Sequence, residues 1–342
     1  MVKLYIHIGS HKTGSTTIQH GLKEKSKDGM KEGWRYVKTP KCVKQLMWAH
    51  EYNTTLVDNF KKALKKNIKL HNEISHYVMS SEFIMGNPDN GYKNSAIAAK
   101  ILRKATEEYD VSIIIYLRRQ DDFVESMYTQ NIHQGRTIDF NTFFEAFKVD
   151  EALDYRRILN DFELEFDKEN LIVKSYHAAS KVGLLNDFSE VIGSRLLLES
   201  TRKRSNPSYS KSALEIARIC NPHLHKKDRR KMRTSLQASM MKKKEESFSF
   251  LSPDLREKFL IKYIASNKAV SERFFGGDLS RLFPLANNSV TEETPAQITN
   301  EQVATLILNI LKKEDKENLF SRVRKFLASL RNIKLNKVTR LY

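Results

Sequence analysis

A run of seven residues, Val111–Leu117, restricts the fold of this chain more than any other segment. It reads Val-Ser-Ile-Ile-Ile-Tyr-Leu and is apolar at almost every position. A strand with one solvated face alternates apolar and polar residues, whereas a strand covered on both faces does not. The run therefore predicts an interior strand of a parallel sheet with helices on both sides.

Three shorter segments share this strand character: Lys3–Ile8, His76–Ser80 and Leu171–Lys174. Between them, apolar residues recur at helical spacing. The helical segments are 15–24, 96–108, 121–133, 153–166 and a stretch through Leu184 and Phe188. Alternation of strands and helices indicates an α/β fold. We predict a P-loop-like core over residues 1–200, with a central parallel sheet flanked by helices.

The strand pattern stops near residue 200, and the chain becomes charged and helical. Helical patterns cover residues 210–219, 226–246 and 253–265. We therefore predict a helical C-terminal portion over residues 201–290. Residues 291–342 have the pattern of a basic amphipathic helical tail.

The charge balance favours an anionic partner, because the formal net charge is +18. Residues 201–246 hold fourteen Lys and Arg against four Asp and Glu. The basic runs Lys226–Arg233 and Lys242–Lys244 fit an acidic acceptor, peripheral contact with a membrane surface, or a solvated helix face. Charge alone does not choose between these alternatives.

Cysteine usage and hydropathy suggest a reducing compartment. Cys42 and Cys220 are the only cysteines, so neither a disulfide framework nor a zinc pattern is present. The first residues do not match a signal peptide, and no stretch approaches 18 apolar residues. We expect a cytoplasmic protein, with contact at the inner membrane face left open.

The segment Gly9–Thr17 has the composition of a phosphate-binding loop between a strand and a helix. It reads Gly-Ser-His-Lys-Thr-Gly-Ser-Thr-Thr. Glycines let the backbone approach an anion, and the helix N-terminus offers free N–H groups and a positive dipole end. Hydroxyl groups in the first helical turn add donors. The segment therefore predicts an anion site.

This loop departs from the Walker A pattern of P-loop kinases, which places a lysine directly after the second glycine. Here Ser15 occupies that position, and Lys12 lies inside the loop. No acidic Mg²⁺ ligand is evident at the end of a following strand, so we expect no metal. Sulfuryl carries less charge than phosphoryl and needs less cationic neutralisation. The loop therefore favours sulfuryl transfer.

The run Ile6–Gln19 resembles the 5'-phosphosulfate loop of PAPS-dependent sulfotransferases, and it is most similar to bacterial sulfotransferase-like proteins. PAPS is 3'-phosphoadenosine 5'-phosphosulfate, and PAP is the product. The resemblance implies that Lys12 contacts the oxygen bridging phosphate and sulfate. The residues it assigns to the donor are Gly9, His11, Lys12, Thr13, Gly14, Ser15, Thr16 and Thr17.

Two further segments resemble the same family. Tyr116–Tyr128 resembles its 3'-phosphate site, where an arginine ends a strand and a serine follows eight positions later, as Arg118 and Ser126 do. An arginine fork and a hydroxyl can hold one terminal phosphate together. Residues 202–208 resemble the loop that closes over the nucleotide. There the resemblance implies roles for Arg204, Asn206 and Ser208.

The resemblance runs from residue 3 to about 283, and residues 201–290 would complete the nucleotide and acceptor site. Many members of the family have Pro where this chain has Ser10, and Thr where it has Ser15. An alternative reading of the second segment pairs Arg118 and Arg119 with Asp121 and Asp122 as a solvated charge cluster.

Two residues are candidates for the base that activates the acceptor. Glu82 follows the strand His76–Ser80, and ligands of α/β sheets bind at the carboxyl ends of strands. His50 is the rival, because histidine titrates near neutrality. Glu82 could instead be a cap or loop carboxylate, and His50, close to Trp48, could be structural. His11 is expected to shape the loop.

Together these patterns predict sulfuryl transfer from PAPS to a hydroxyl. The resemblance implies a carbohydrate acceptor, either polysaccharide or glycolipid. One rival is a nucleotide kinase-like phosphotransferase, which would need Mg²⁺. The other is a non-enzymatic nucleic-acid-binding protein, which charge alone supports and which we consider the weaker hypothesis.

Overall fold

The computed structural model describes residues 1–68, 73–148, 153–195, 210–239 and 249–284. Its strands are β1 (Val2–Gly9), β2 (Trp34–Tyr36), β3 (His76–Ser80), β4 (Tyr109–Leu117) and β5 (Leu171–Ser175). They form one parallel sheet in the order β2-β3-β1-β4-β5. Strand β1 therefore lies at the centre of the sheet, between β3 and β4.

The helices between and after these strands are α1 (Ser15–Lys31), α2 (Thr54–Asn67), α3 (Ser95–Ala105), α4 (Gln120–His133), α5 (Phe140–Lys148), α6 (Tyr155–Phe166), α7 (Tyr176–Val182), α8 (Leu184–Val191), α9 (Lys211–Cys220), α10 (Lys226–Ser239), α11 (Pro253–Ile261), α12 (Ile264–Phe274) and α13 (Leu279–Leu282). Short 3₁₀ segments cover Lys41–Trp48, Glu82–Met85, Pro88–Asn90, Lys168–Asn170 and Asn221–His223.

Helices cover both faces of the sheet. Ile18 and Leu22 of α1 and Phe188 of α8 pack with Ile114 and Tyr116 of β4 on one face. Helix α3 packs against both α2 and α6, and α6 also contacts β4 and β5. Because every residue of the run 111–117 is buried, neither face of β4 is left to solvent. The predicted α/β fold, with a central parallel sheet flanked by helices, is confirmed.

The described residues divide into two compact units. The first contains those within 1–123, 147–203 and 255–286, and it holds the whole sheet. The second contains those within 124–146 and 204–254. Inside the second unit, the Asn221 side chain donates to the carbonyls of Ile132 and Arg136, at 2.9 and 2.8 Å.

Several local features of the structure differ from the sequence predictions. The sequence pattern missed β2, because three residues are too few to show a strand period. It also missed α2 and α5. The helix predicted over 253–265 is divided into α11 and α12 by a turn at Tyr263, whose fully buried ring packs 5.3 Å from Phe259. Beyond residue 239, the helix predicted over 226–246 lies outside the described residues, as does the tail 291–342.

Candidate functional site

The loop Gly9–Gly14 lies where β1 ends, at the carboxyl edge of the sheet. Ser10 ties it to the neighbouring strand, because its N–H and its hydroxyl both donate to the Tyr116 carbonyl, at 2.9 and 3.1 Å. The Thr13 hydroxyl closes the loop by donating to the Ser10 carbonyl at 2.6 Å. In a sheet of this order the edge beside the central strand is a topological switch point, where ligands of α/β folds bind.

Gly9 meets two requirements that no side chain satisfies. Its φ is +101°, in the region that L-residues avoid. A Cβ built on it would also lie 3.2 Å from the Glu82 Cβ and 3.3 Å from the Glu82 Cα. The end of β1 and the start of the segment after β3 therefore approach each other as closely as a glycine allows.

Gly9→Ala should lower the free energy of unfolding by about 1–3 kcal/mol more than Gly193→Ala. Gly193 is a matched control, because its φ is also positive, at +67°, but a Cβ built there meets nothing within 4 Å. Urea unfolding of both variants measures the difference. Equal losses would show that the approach of Gly9 to Glu82 imposes no constraint.

The start of α1 presents a row of hydrogen-bond donors. Within the described residues, the backbone N–H groups of Thr13, Gly14, Ser15 and Thr16 have no hydrogen-bond partner in the chain. No side chain caps the helix, and its first turn contains no acidic residue. The Ser15 hydroxyl is buried and likewise has no partner there. The unused donors and the helix dipole are therefore suited to binding an anion.

Lys12 is half-buried within the loop and has a φ of +64°. This left-handed conformation costs a non-glycine residue about 1–2 kcal/mol. A contact from the residue after β4 helps to offset the cost, because Arg118 Nη1 donates to the Lys12 carbonyl at 2.9 Å. Arg118 therefore holds the backbone at the lysine that the sequence singled out.

Arg118 and Arg119, although adjacent, have different environments. Arg119 is buried, and its Nε and Nη2 donate to the buried Asp121 carboxylate at 2.7 and 2.9 Å. Burial alone would raise the pKa of Asp121, but these contacts outweigh burial and lower the pKa below its usual value. Arg118 forms no ion pair with a carboxylate in the described part of the chain, and its buried Nε has no partner there. The alternative reading as a charge cluster thus applies to Arg119, although the cluster is buried and not solvated. Arg118 remains available for an anion.

Tyr176, at the start of α7, is a component that sequence reasoning missed. Its ring lies 5.4 Å from the Arg118 guanidinium carbon, in cation–π geometry. The same ring lies 3.8 Å from a Cβ built on Gly14. Tyr176 therefore contacts both the arginine and the end of the loop. The only signal in the sequence was an aromatic residue directly after a strand.

His11 shapes the loop through Tyr92. The Tyr92 hydroxyl accepts from the His11 backbone N–H and also contacts His11 Nδ1, both at 3.1 Å. Burial and the charge of Lys12 lower the pKa of His11 to about 3. Burial alone lowers the pKa of His7 to about 3, and His7 Nδ1 contacts the Ser80 hydroxyl at 2.8 Å. Both rings are neutral at pH 7.

The unfolded chain binds protons at these histidines near pH 6.5, whereas the folded chain does not until about pH 3. Stability is therefore fully present above pH 6.5 and declines as the pH falls through this window. We expect a loss of about 2 kcal/mol per histidine at pH 5. Urea unfolding at pH 7 and pH 5 measures it, and His7→Gln should reduce the loss by about 2 kcal/mol. An unchanged loss in that variant would exclude His7 as a source.

Glu82 lies beside the loop, directly after β3. The Gln19 side chain of α1 donates to Glu82 Oε2 at 3.0 Å and to the Ser80 carbonyl at 3.3 Å. The carboxylate is half-buried, so it stays accessible. His50 is exposed, and within the described residues it makes no hydrogen bond, ion pair or ring contact with the loop. Of the two candidate bases, Glu82 is the one that the structure brings to the loop.

The side chains of Thr16 and Thr17 make none of the contacts described above. Thr16 and Thr17 are exposed on the first turn of α1. Ser126 is half-buried on α4, in the second unit. Arg204, Asn206 and Ser208 lie outside the described residues.

The described ranges contain no group of three or more His, Cys, Asp or Glu side chains that could hold a metal ion. Nor is any helix in these ranges long and apolar enough to cross a bilayer.

Comparisons with known proteins give limited similarity. No family model matches the chain. An uncharacterized protein of Archaeoglobus fulgidus is 25% identical over 227 residues, which cover 62% of this chain and 61% of that relative. The crystal structure of a sulfotransferase from Alicyclobacillus acidocaldarius is 14% identical. It covers 66% of this chain and 98% of its own, with a TM-score of 0.41. This structural similarity is too low to support a function. The functional proposal below rests on the residues of the loop.

Proposed function

We propose that this protein is a sulfotransferase that moves a sulfuryl group from PAPS to a hydroxyl, with a carbohydrate as acceptor. One observation carries the proposal. Four consecutive N–H groups, from Thr13 to Thr16, have no partner among the described residues where α1 begins, and the loop before them holds Lys12, whose carbonyl accepts from Arg118. A sulfuryl group carries less charge than a phosphoryl group, so it suits a loop with one lysine.

The loop residues stabilise the leaving group. In an in-line transfer, the acceptor oxygen forms a bond to sulfur while the bond between sulfur and the bridging oxygen breaks. The bonding electron pair stays on the 5'-phosphate of PAP, so negative charge develops there. The Lys12 ammonium and the N–H groups of 13–16 stabilise this charge without rearranging. Glu82 accepts the proton of the acceptor hydroxyl.

Arg118 identifies the donor by its 3'-phosphate in this proposal. One of its donors is used by the Lys12 carbonyl, and its Nε has no partner among the described residues. The Tyr176 ring, 5.4 Å from the guanidinium carbon, helps to hold Arg118 in position. The guanidinium thus joins the 3'-phosphate to the loop that holds the 5'-phosphosulfate. By the resemblance of the sequence alone, Ser126, Arg204, Asn206 and Ser208 are further candidates for binding the nucleotide.

Arg118→Ala should weaken PAP binding by roughly 2–5 kcal/mol, the cost of removing one partner of a charge-assisted contact. Binding of adenosine 5'-phosphosulfate, which lacks the 3'-phosphate, should weaken much less. Calorimetric titration measures both ligands. Arg156→Ala is the control, since Arg156 is an exposed arginine of the same unit. Equal weakening of both ligands would exclude 3'-phosphate recognition by Arg118.

Transfer of radioactive sulfate from labelled PAPS to a panel of polysaccharides tests the proposal. We expect label on at least one hydroxyl-bearing polymer in buffer containing EDTA. The kinase alternative predicts no sulfate transfer, with phosphate transfer from ATP only when Mg²⁺ is present.

A further inference from the structure

The helix α10 carries positive charges that lower its stability as a helix. Residues 226–233 contain six Lys and Arg and a single Asp. Lys226 and Lys227 lie in the first turn, at the positive end of the helix dipole. Lys227 is also three and four residues from Arg230 and Lys231, where like charges repel. Both effects oppose helix formation, so folding alone does not favour this arrangement.

The cations form one exposed face. Lys227, Arg230, Lys231 and Thr234 have the spacing of a single helix face and are all exposed, as is Lys226. The other side of the helix buries Ser235 and Leu236. Within the described residues, Lys226, Lys227 and Arg230 have no carboxylate partner. We call the exposed residues Lys226, Lys227, Arg230 and Lys231 the basic face of α10.

The residue types around this face indicate which class of polyanion it suits: a nucleic acid, a membrane surface or an acidic polysaccharide. Residues 210–239 contain no Phe, Tyr or Trp, so the bases of a single-stranded nucleic acid would find no aromatic ring to stack on. No large apolar side chain of α10 is exposed, so it lacks the apolar face with which a helix enters a membrane. An acidic polysaccharide requires neither feature, because its carboxylates or sulfates need only a row of cations.

We infer that the basic face of α10 binds an acidic polysaccharide chain. We also infer that this polymer is the acceptor class, and that part rests on the proposed function. A hydroxyl-bearing, carboxylated glycan would then be held for sulfation. Binding itself is a separate property of the second unit and can be measured without turnover.

Binding of polygalacturonate to the full chain, followed by fluorescence anisotropy at 50 and 200 mM NaCl, tests the inference. The double variant Lys227→Gln/Arg230→Gln should bind at least tenfold more weakly at 50 mM salt. Its slope of log affinity against log salt should fall by about one to two, because two cations no longer release counterions. Neutral dextran should bind neither protein.

Lys23→Gln/Lys27→Gln is the charge-matched control, because it removes two exposed lysines from one helix of the first unit. It should change affinity less than twofold. An equal loss in this control would mean that net charge, and not the basic face, binds the polymer. Oligo(dT) or phosphatidylserine vesicles bound as tightly as polygalacturonate, with the same loss in the α10 variant, would also overturn the inference.

Titration of the same proteins with PAP separates the two proposals. A wild-type chain that binds polygalacturonate but not PAP contradicts the proposed function and leaves binding at α10 supported. A chain that binds PAP, while the α10 variant keeps its full affinity for polygalacturonate, contradicts the inference alone.

Discussion

Lys12→Ala should reduce sulfuryl transfer by about 10³-fold or more. Removing one preorganised group that stabilises developing charge typically costs about 10²–10³-fold in rate. Lys12 is the cation of the loop, so its loss should reach or exceed the upper end. The loop backbone should persist, because Ser10, Thr13 and Arg118 hold it through backbone atoms of residues 10, 12 and 116.

Lys23→Ala provides the comparison for this variant, since it removes an exposed lysine from the helix that follows the loop. Rates from labelled PAPS and urea unfolding should be measured for both proteins. We expect both to unfold at nearly the wild-type denaturant concentration, with only Lys12→Ala inactive. Wild-type turnover without Lys12 would remove that residue from the mechanism.

Glu82→Gln should lower the transfer rate by roughly 10²–10⁴-fold, the usual contribution of a general base. The amide keeps the size of the side chain and can still accept from Gln19, but it cannot take the acceptor's proton. PAP affinity should hardly change, because Glu82 acts on the acceptor. The rate with an identified acceptor and the PAP dissociation constant are the two measurements.

His50→Ala tests the rival base. The exposed position of His50 and its lack of contact with the loop predict a rate close to wild type. Loss of activity in His50→Ala, with Glu82→Gln nearly silent, would reverse the assignment. Near-normal rates in both variants would show that neither residue is the base.

The sequence predicted the centre of this fold because its signals there are local. An apolar run and a glycine-bounded loop before a helix determine β4, the loop and α1 without reference to distant residues. Strand β2 escaped prediction, since three residues show no period and its pairing with β3 decides its structure. The turn at Tyr263 was not predicted for a similar reason. The helical pattern is local, whereas burial of the Tyr263 ring depends on tertiary packing.

The candidate site was predicted in part, for the same physical reason. Lys12, Glu82 and Arg118 follow strands, so topology alone brings them to one edge of the sheet. The division of roles between Arg118 and Arg119 depends on which side chain meets the buried Asp121, and spacing does not reveal that. The contacts of Gln19 with Glu82 and of Tyr176 with Arg118 join residues far apart in sequence.

Calorimetric titration with PAP in buffer containing EDTA tests the central claim most directly. The account predicts saturable binding of one PAP per chain without metal, much weaker binding of AMP, and loss of that difference in Arg118→Ala. Absence of PAP binding, together with binding of ATP that requires Mg²⁺, would contradict it and support a kinase-like phosphotransferase instead.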